Sequence, residues 1–188
     1  CGIHALHLAS FVSGQDAQDL SASFASLLPG RVLEDDAWVS IRMDGGALVR
    51  LWTSSVAIGR MHGFNIEVFG ETGGLRWAQE WPNQLFYTPL NGRTQIIERG
   101  GAGQSPDAAR ATRVTIGHTE GFTTAIANIY ADLAEVITAR KEARNADPLA
   151  LSYPTATDGL RSIAAIRAAV ESHKKNGEWT DARPPSLR

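Results

Sequence analysis

The 188-residue chain is 43% hydrophobic and 20% charged, has a formal net charge of -2, and contains a single cysteine, Cys1. These values suit one soluble domain with a sizeable core. The interspersed acids and bases exclude a basic footprint for nucleic acid or for an anionic membrane. No apolar run approaches the roughly 20 residues of a membrane span, and one cysteine can form neither an internal disulfide nor a cysteine-pair zinc site. The opening Cys1-Gly2-Ile3-His4 lacks the basic region of a signal peptide. A reducing cytoplasm is the expected compartment.

Taken in chain order, residues 3–12 are apolar on most sides and end at Ser13-Gly14, which predicts a buried helix. It begins with almost no lead-in, as expected of a chain that was cut or is only partly present. From Leu20 to about Glu98 the texture changes to short alternating runs separated by turn residues. Runs at 20–24 and 37–43 stop at Pro29-Gly30 and Asp44-Gly45-Gly46; the latter is a hairpin signal. Further runs at 48–56, 64–69, 75–81, 85–88 and 94–98 predict a meander of about six or seven antiparallel strands.

Residues 100–111 are small and polar and read as a loop. Two helices follow. Phe122, Ala125, Ile126, Ile129, Tyr130, Leu133 and Ile137 recur at helical spacing over 122–143. Leu160, Ile163, Ala164 and Val170 do so over 158–175, with Thr157-Asp158 at the start and Lys174-Lys175 before Gly177 at the end. The connector 145–155 is turn-rich, and the tail from Asp181 is expected to fray. Strands first and helices afterwards predict an α+β fold: an open, predominantly antiparallel sheet of about six strands with the helices on one face. Gly70-Glu71-Thr72-Gly73-Gly74 lies between two strands, not between strand and helix. No dinucleotide fingerprint is therefore readable. Trp38, Arg42, Arg50, Trp52 and Ser54 alternate opposite the aliphatic set, a composition that suits a binding surface or a subunit interface, or else a partly exposed face with scattered aromatics.

His4 and His7 stand one helical turn apart and share a face. Such a pair suits a metal, a satisfied core, or a polar pocket in which one ring works as acid or base near its ordinary pKa of about 6.5. The metal reading is the poorest, because a site needs three or four ligands and no acidic partner lies at local spacing. His118 sits in Gly117-His118-Thr119-Glu120-Gly121-Phe122, at the entry to a helix. It is either a functional polar group or a surface residue beside a Thr119–Glu120 cap. Arg60-Met61-His62-Gly63 forms a cluster between two strands. Cys1-Gly2-Ile3 matches the start of N-terminal-nucleophile amidotransferases. That fold needs an initial strand, and the residues that follow read as helix.

The run Cys1-Gly2-Ile3-His4-Ala5-Leu6-His7-Leu8-Ala9 resembles the start of the C-terminal domain of the glucose–fructose oxidoreductase / inositol dehydrogenase (Gfo/Idh/MocA) family. The resemblance extends through Leu28-Pro29-Gly30-Arg31, Asp35-Asp36-Ala37, Gly59-Arg60-Met61-His62-Gly63-Phe64 and Val68-Phe69-Gly70-Glu71-Thr72-Gly73-Gly74-Leu75-Arg76-Trp77. It then takes in Pro82-Asn83, Gly117-His118-Thr119-Glu120-Gly121-Phe122 and Gly177-Glu178-Trp179-Thr180-Asp181. It implies an NAD- or NADP-dependent dehydrogenase acting on the CH–OH group of a sugar, polyol or inositol-like substrate. The cofactor would sit on an N-terminal Rossmann domain absent from this chain, which alone would be inactive. His4 matches the family's catalytic histidine. His7, Arg60, His62, His118 and Glu120 suit binding of substrate hydroxyls, and no metal is implied. A homodimer or homotetramer through the open sheet face is expected, with no nucleic-acid or membrane partner. The competing reading is a non-catalytic oligomerisation or scaffold domain.

Overall fold

The computed structural model describes residues 2–187. In chain order its elements are α1 (Gly2–Ser13), β1 (Ala17–Ala25), β2 (Asp36–Met43), β3 (Leu48–Ser54), β4 (Asn65–Gly70), β5 (Gly73–Ala78), β6 (Gln84–Pro89), β7 (Gln95–Glu98), α2 (Pro106–Ala111), α3 (Phe122–Lys141), α4 (Ala156–Lys174) and β8 (Thr180–Asp181). A 3₁₀ turn spans Pro148–Leu151. The described residues divide into two compact units, 2–61 with 155–187, and 62–154.

The first unit holds an antiparallel sheet of order β3-β2-β1-β8. Alternation sorts its side chains. Leu20, Ala22, Ile41, Met43 and Leu51 are buried on one face and meet Leu6 of α1 and Ala165, Ala168 and Ala169 of α4. The opposite face carries Ser23, Trp38 and Trp52 in one row of cross-strand partners, and Asp19, Arg42 and Leu48 in another.

Helix α4 opens with a reciprocal capping box between Thr155 and Asp158. Its buried residues are Ser162, Ala165, Ala168, Ala169 and Ser172. Leu160 and Ile163, expected on the apolar face, are each 46% exposed. The correction has a steric reason. The helix lies so close to β1 that the Ser172 hydroxyl, fully buried, accepts from the Ala22 amide at 2.9 Å and donates to the Glu178 carbonyl at 2.7 Å. Only small side chains fit such a gap, whereas periodicity weights large ones. The tail also departs from expectation. It does not fray at Asp181: β8 pairs with β1, the Ala182 amide donates to Gln18, and Ala182 is 2% exposed.

The second unit holds the meander β4-β5-β6-β7, antiparallel throughout. Gly73 must be glycine, since a Cβ there would lie 2.6 Å from the Thr88 carbonyl oxygen. Helix α2 forms inside the stretch expected as loop. Ser105 caps it by accepting from the Ala108 amide, and Pro106 starts its first turn. The end of α3 is fixed by ion pairs. Arg144 grips Glu135 with two nitrogens at 2.7 and 3.0 Å, and Arg110 joins Asp132 to Asp147. The fold is thus α+β and antiparallel as expected. Its eight strands, however, form two ladders of four rather than one sheet of about six. Residues 55–64, with Gly59 and Gly63 at positive φ, run in turns between β3 and β4. Periodicity along a chain does not report which strands share hydrogen bonds.

Two outcomes follow. Ser172→Ala leaves the Ala22 amide without its partner in the core and removes one of the two hydroxyls that donate to the Glu178 carbonyl. It should destabilise by about 1–3 kcal/mol in chemical denaturation, whereas Ser162→Ala should cost less. The Arg144 guanidinium and the Asp147 amide hold the Glu135 carboxyl down at about 2, from 4.5. A depressed carboxylate stabilises the fold above the ordinary value and loses that contribution as pH falls toward 2. Thermal melting should therefore separate wild type from Glu135→Gln at pH 7, with the gap closing between about pH 5 and 2.

Candidate functional site

Helix α1 presents both of its histidines, but differently. His7 is half-buried and lines a cleft of about 300 Å³ with Leu6, Ser10, Asp16, Asp158 and Arg161. Arg161 lies 3.0 Å from Asp16 and 3.4 Å from Asp158. The Asp158 carboxyl is held below the usual range, chiefly by the Thr155 hydroxyl and then its amide, with the charges of Arg161 and His7 adding. The cleft therefore offers fixed acceptors and donors side by side, a lining suited to hydroxyl groups. His4 is exposed and does not line it.

In the second unit, residues 112–121 form an irregular segment leading into α3. His118 is exposed and lines a shallow recess of about 160 Å³ with Asn83, Glu98, Arg99, Gly117 and Thr119. Glu120 is only 7% exposed. Its Oε1 accepts from the Arg99 guanidinium and from the Arg113 and Val114 amides. Of the two readings of this segment the Thr119–Glu120 cap does not form: the N-cap of α3 is Gly121, with no side-chain hydrogen bond.

Arg60 and His62 are exposed in the turns that follow β3. Glu80 accepts from the Gly63 amide at 2.7 Å, which with the nearby His62 keeps its carboxyl below the usual range. The His62, Phe64 and Trp77 rings follow one another at 6.1 and 6.2 Å. Thus His4 and His7 belong to the first unit, and His118 and Glu120 to the second.

Three polar residues with central places carried little signal in the sequence. Asp35 is buried and accepts from the Leu27 and Leu28 amides, which hold its carboxyl low. The resemblance at Asp35-Asp36-Ala37 implied no chemical role for it. Asn83 and Arg99 join Glu120 in one hydrogen-bonded group. On the outer face of the first sheet Trp38 and Trp52 stack at 5.4 Å, and Arg42 lies 3.7 Å over Trp179 while pairing with Asp19. The glycines at 70–74 form the β4–β5 hairpin, so they cradle no pyrophosphate. Among the described residues, no group of three or more His, Cys, Asp or Glu is placed to hold a metal, and no helix is long and apolar enough to cross a membrane. Cys1 lies outside the described residues, and the helix at Gly2–Ser13 stands where an N-terminal-nucleophile fold needs a strand.

The model of the GFO/IDH/MocA C-terminal domain matches residues 1–76. The crystal structure of an oxidoreductase from Sinorhizobium meliloti is 42% identical, with a TM-score of 0.90 over 96% of this chain and 50% of that one. An inositol dehydrogenase homolog from Azotobacter vinelandii, solved with NADH and myo-inositol, is 31% identical with a TM-score of 0.86, over 96% of this chain and 48% of that one. The uncharacterized oxidoreductase YfiI of Bacillus subtilis (strain 168) is 30% identical over 149 residues, 79% of this chain and 38% of that protein. The chain therefore spans half or less of the length of these relatives. The first 76 residues thus match the GFO/IDH/MocA C-terminal domain, and the fold of nearly the whole chain is that of these oxidoreductase structures.

Proposed function

We propose that the complete protein is a cytoplasmic NAD- or NADP-dependent dehydrogenase acting on a CH–OH group of a sugar, polyol or inositol-like substrate, and that this chain forms the substrate-facing half. The observation that carries the reading is the pair on α1. His4 is exposed, as a group must be to meet an alcohol presented by another domain. His7 lines a polar cleft one turn away. The likeness to an inositol dehydrogenase homolog solved with NADH and myo-inositol supports the substrate class.

Nothing among the described residues has the form of a dinucleotide loop. The nicotinamide cofactor, which supplies the hydride acceptor, would be bound by a nucleotide-binding domain elsewhere in the complete protein. The work of this chain is to remove a proton and to hold hydroxyls. An imidazole near neutrality takes the hydroxyl proton at the pH where the enzyme works. His4 has that role. His7 and His118 orient the remaining hydroxyls, with Arg60 and His62 on the exposed segment between them in sequence. Glu120 is already committed to interior donors and serves the loop rather than the substrate.

The outer face of the first sheet supports assembly as a homodimer or homotetramer. Trp38 and Trp52 stack there at 57% and 43% exposure, and exposed Leu48 lies two rows along the same face. Such aromatic surface is costly to leave wet and is typical of interface centres.

In the complete protein, assayed with myo-inositol and a panel of aldoses against NAD and NADP, His4→Ala should lower kcat by roughly 10²–10⁴-fold. His7→Ala and His118→Ala should mainly raise KM, with cofactor affinity unchanged in all three variants. Cofactor reduction at the wild-type rate by His4→Ala would remove the proposed acid/base. Light scattering should give a dimer or tetramer at micromolar concentration. Trp38→Glu with Trp52→Glu should shift it to monomer, and an unchanged mass would place the interface elsewhere.

A further inference from the structure

Residues 113–120 form no helix or strand, yet three side chains grip their backbone. Glu120 Oε1 accepts from the amides of Arg113 and Val114. Arg99 Nη1 donates to the Val114 carbonyl, and Nη2 donates to the His118 carbonyl. Asn83 Oδ1 accepts from the Glu120 amide, and its Nδ2 donates to the Glu120 carbonyl. The three are joined to one another as well: Arg99 Nε donates to Asn83 Oδ1 at 2.7 Å, and Nη1 donates to Glu120 at 3.0 Å. Gly117, at φ 84°, turns the chain so that the His118 amide donates to the Thr115 carbonyl.

The side chain of His118 makes none of these bonds; it is exposed and borders the recess that Asn83, Glu98 and Arg99 also line. Glu120 and Arg99 are 7% and 16% exposed at the side chain, so a charged pair has been taken out of water to hold a surface loop. Burying such a pair is a poor way to gain stability. It is an effective way to fix the backbone from which a working side chain projects.

We propose that Glu120, Arg99 and Asn83 are positioning residues for His118. The group binds no ligand itself and acts by presenting the imidazole at a set place and angle. The inference deepens the proposed function and rests on His118 meeting the substrate. It also gives Pro82-Asn83 and Gly117-His118-Thr119-Glu120, two motifs far apart in sequence, a single purpose.

The test uses the complete protein with its histidines ¹³C-labelled, and the variants Glu120→Gln, Glu120→Ala, His118→Ala and the double variant His118→Ala/Glu120→Gln. Glu120→Gln keeps the shape should Glu120→Ala fail to fold. By NMR, Glu120→Gln should move the His118 ring resonance and leave those of His4 and His7 in place, at a temperature where the variant is fully folded. An unmoved His118 resonance overturns the proposal. In the kinetic arm, Glu120→Gln and His118→Ala should each raise KM about 3- to 10-fold, the range for one lost hydrogen bond. The double variant should match His118→Ala, because a residue acting through another adds nothing once that other is gone. Additive increases would mean that Glu120 touches the substrate directly, which also overturns the proposal. A normal KM for His118→Ala would refute the substrate role of His118 itself, and the resonance measurement still decides the positioning.

Discussion

The first unit depends on how closely a helix can approach a strand. Helix α4 rests on β1 at a distance set by a hydroxyl, with Ser172 bonded to both the Ala22 amide and the Glu178 carbonyl. That contact demands a helix face of Ala and Ser, and α4 supplies one. The thin layer lets α1 add Leu6 to the same core, and it brings the end of α4 to the level at which β8 can pair with β1. The Schellman-like turn at Asn176-Gly177, with both residues at positive φ, aims the chain back along the strand. One short-range contact thus specifies a helix face, a turn and an edge strand.

Polar groups in the two units do different work. In the first they lie around a cleft and pair across it, as Arg161 does with Asp16 and Asp158. In the second they turn inward to backbone amides and carbonyls of a segment without regular structure. Both arrangements satisfy buried donors and acceptors. The first leaves spare capacity facing the cleft, whereas the second leaves one imidazole facing out. A side chain on a loop whose backbone is hydrogen-bonded and a half-buried one on a helix are two ways of setting a group's place before a ligand arrives.

Much of this was legible in the sequence, for identifiable reasons. Helix α3 declares itself by apolar spacing, α4 by spacing and its polar start, α1 by an apolar run closed at Gly14, and β2 and β3 by clean alternation around Asp44-Gly45-Gly46. The face of α4 did not. Leu160 and Ile163 outweigh Ala165 and Ala168 in any hydrophobic count, although the small residues are the buried ones. Strand β8 is two residues long, too short for any period, and is held by pairing and by burial of Ala182. The histidines of α1 could be singled out because helical spacing links them. Arg99 could not, because its partners lie at Asn83, Val114, His118 and Glu120 and only folding brings them together. Glu120 was visible as a polar residue at a helix entry, yet whether it faces substrate or amides is a matter of burial that composition does not encode.

The connectivity of the first unit has a consequence for biosynthesis. The amide of Ala22 finds its partner 150 residues later, in Ser172. During vectorial synthesis, β1, β2 and β3 leave the ribosome with Leu20, Ile41, Met43 and Leu51 on a face whose covering helix does not yet exist. The residues of the second unit are made in full before that helix appears. The nascent sheet is therefore a transient apolar surface of the kind that recruits chaperones or invites edge pairing between neighbouring chains. Such long-range closure is slow because the loop entropy is lost before the contact is gained. A polysome translating this sequence would hold several such open sheets at once, and the yield of folded protein would be set as much by elongation rate as by the stability of the finished fold.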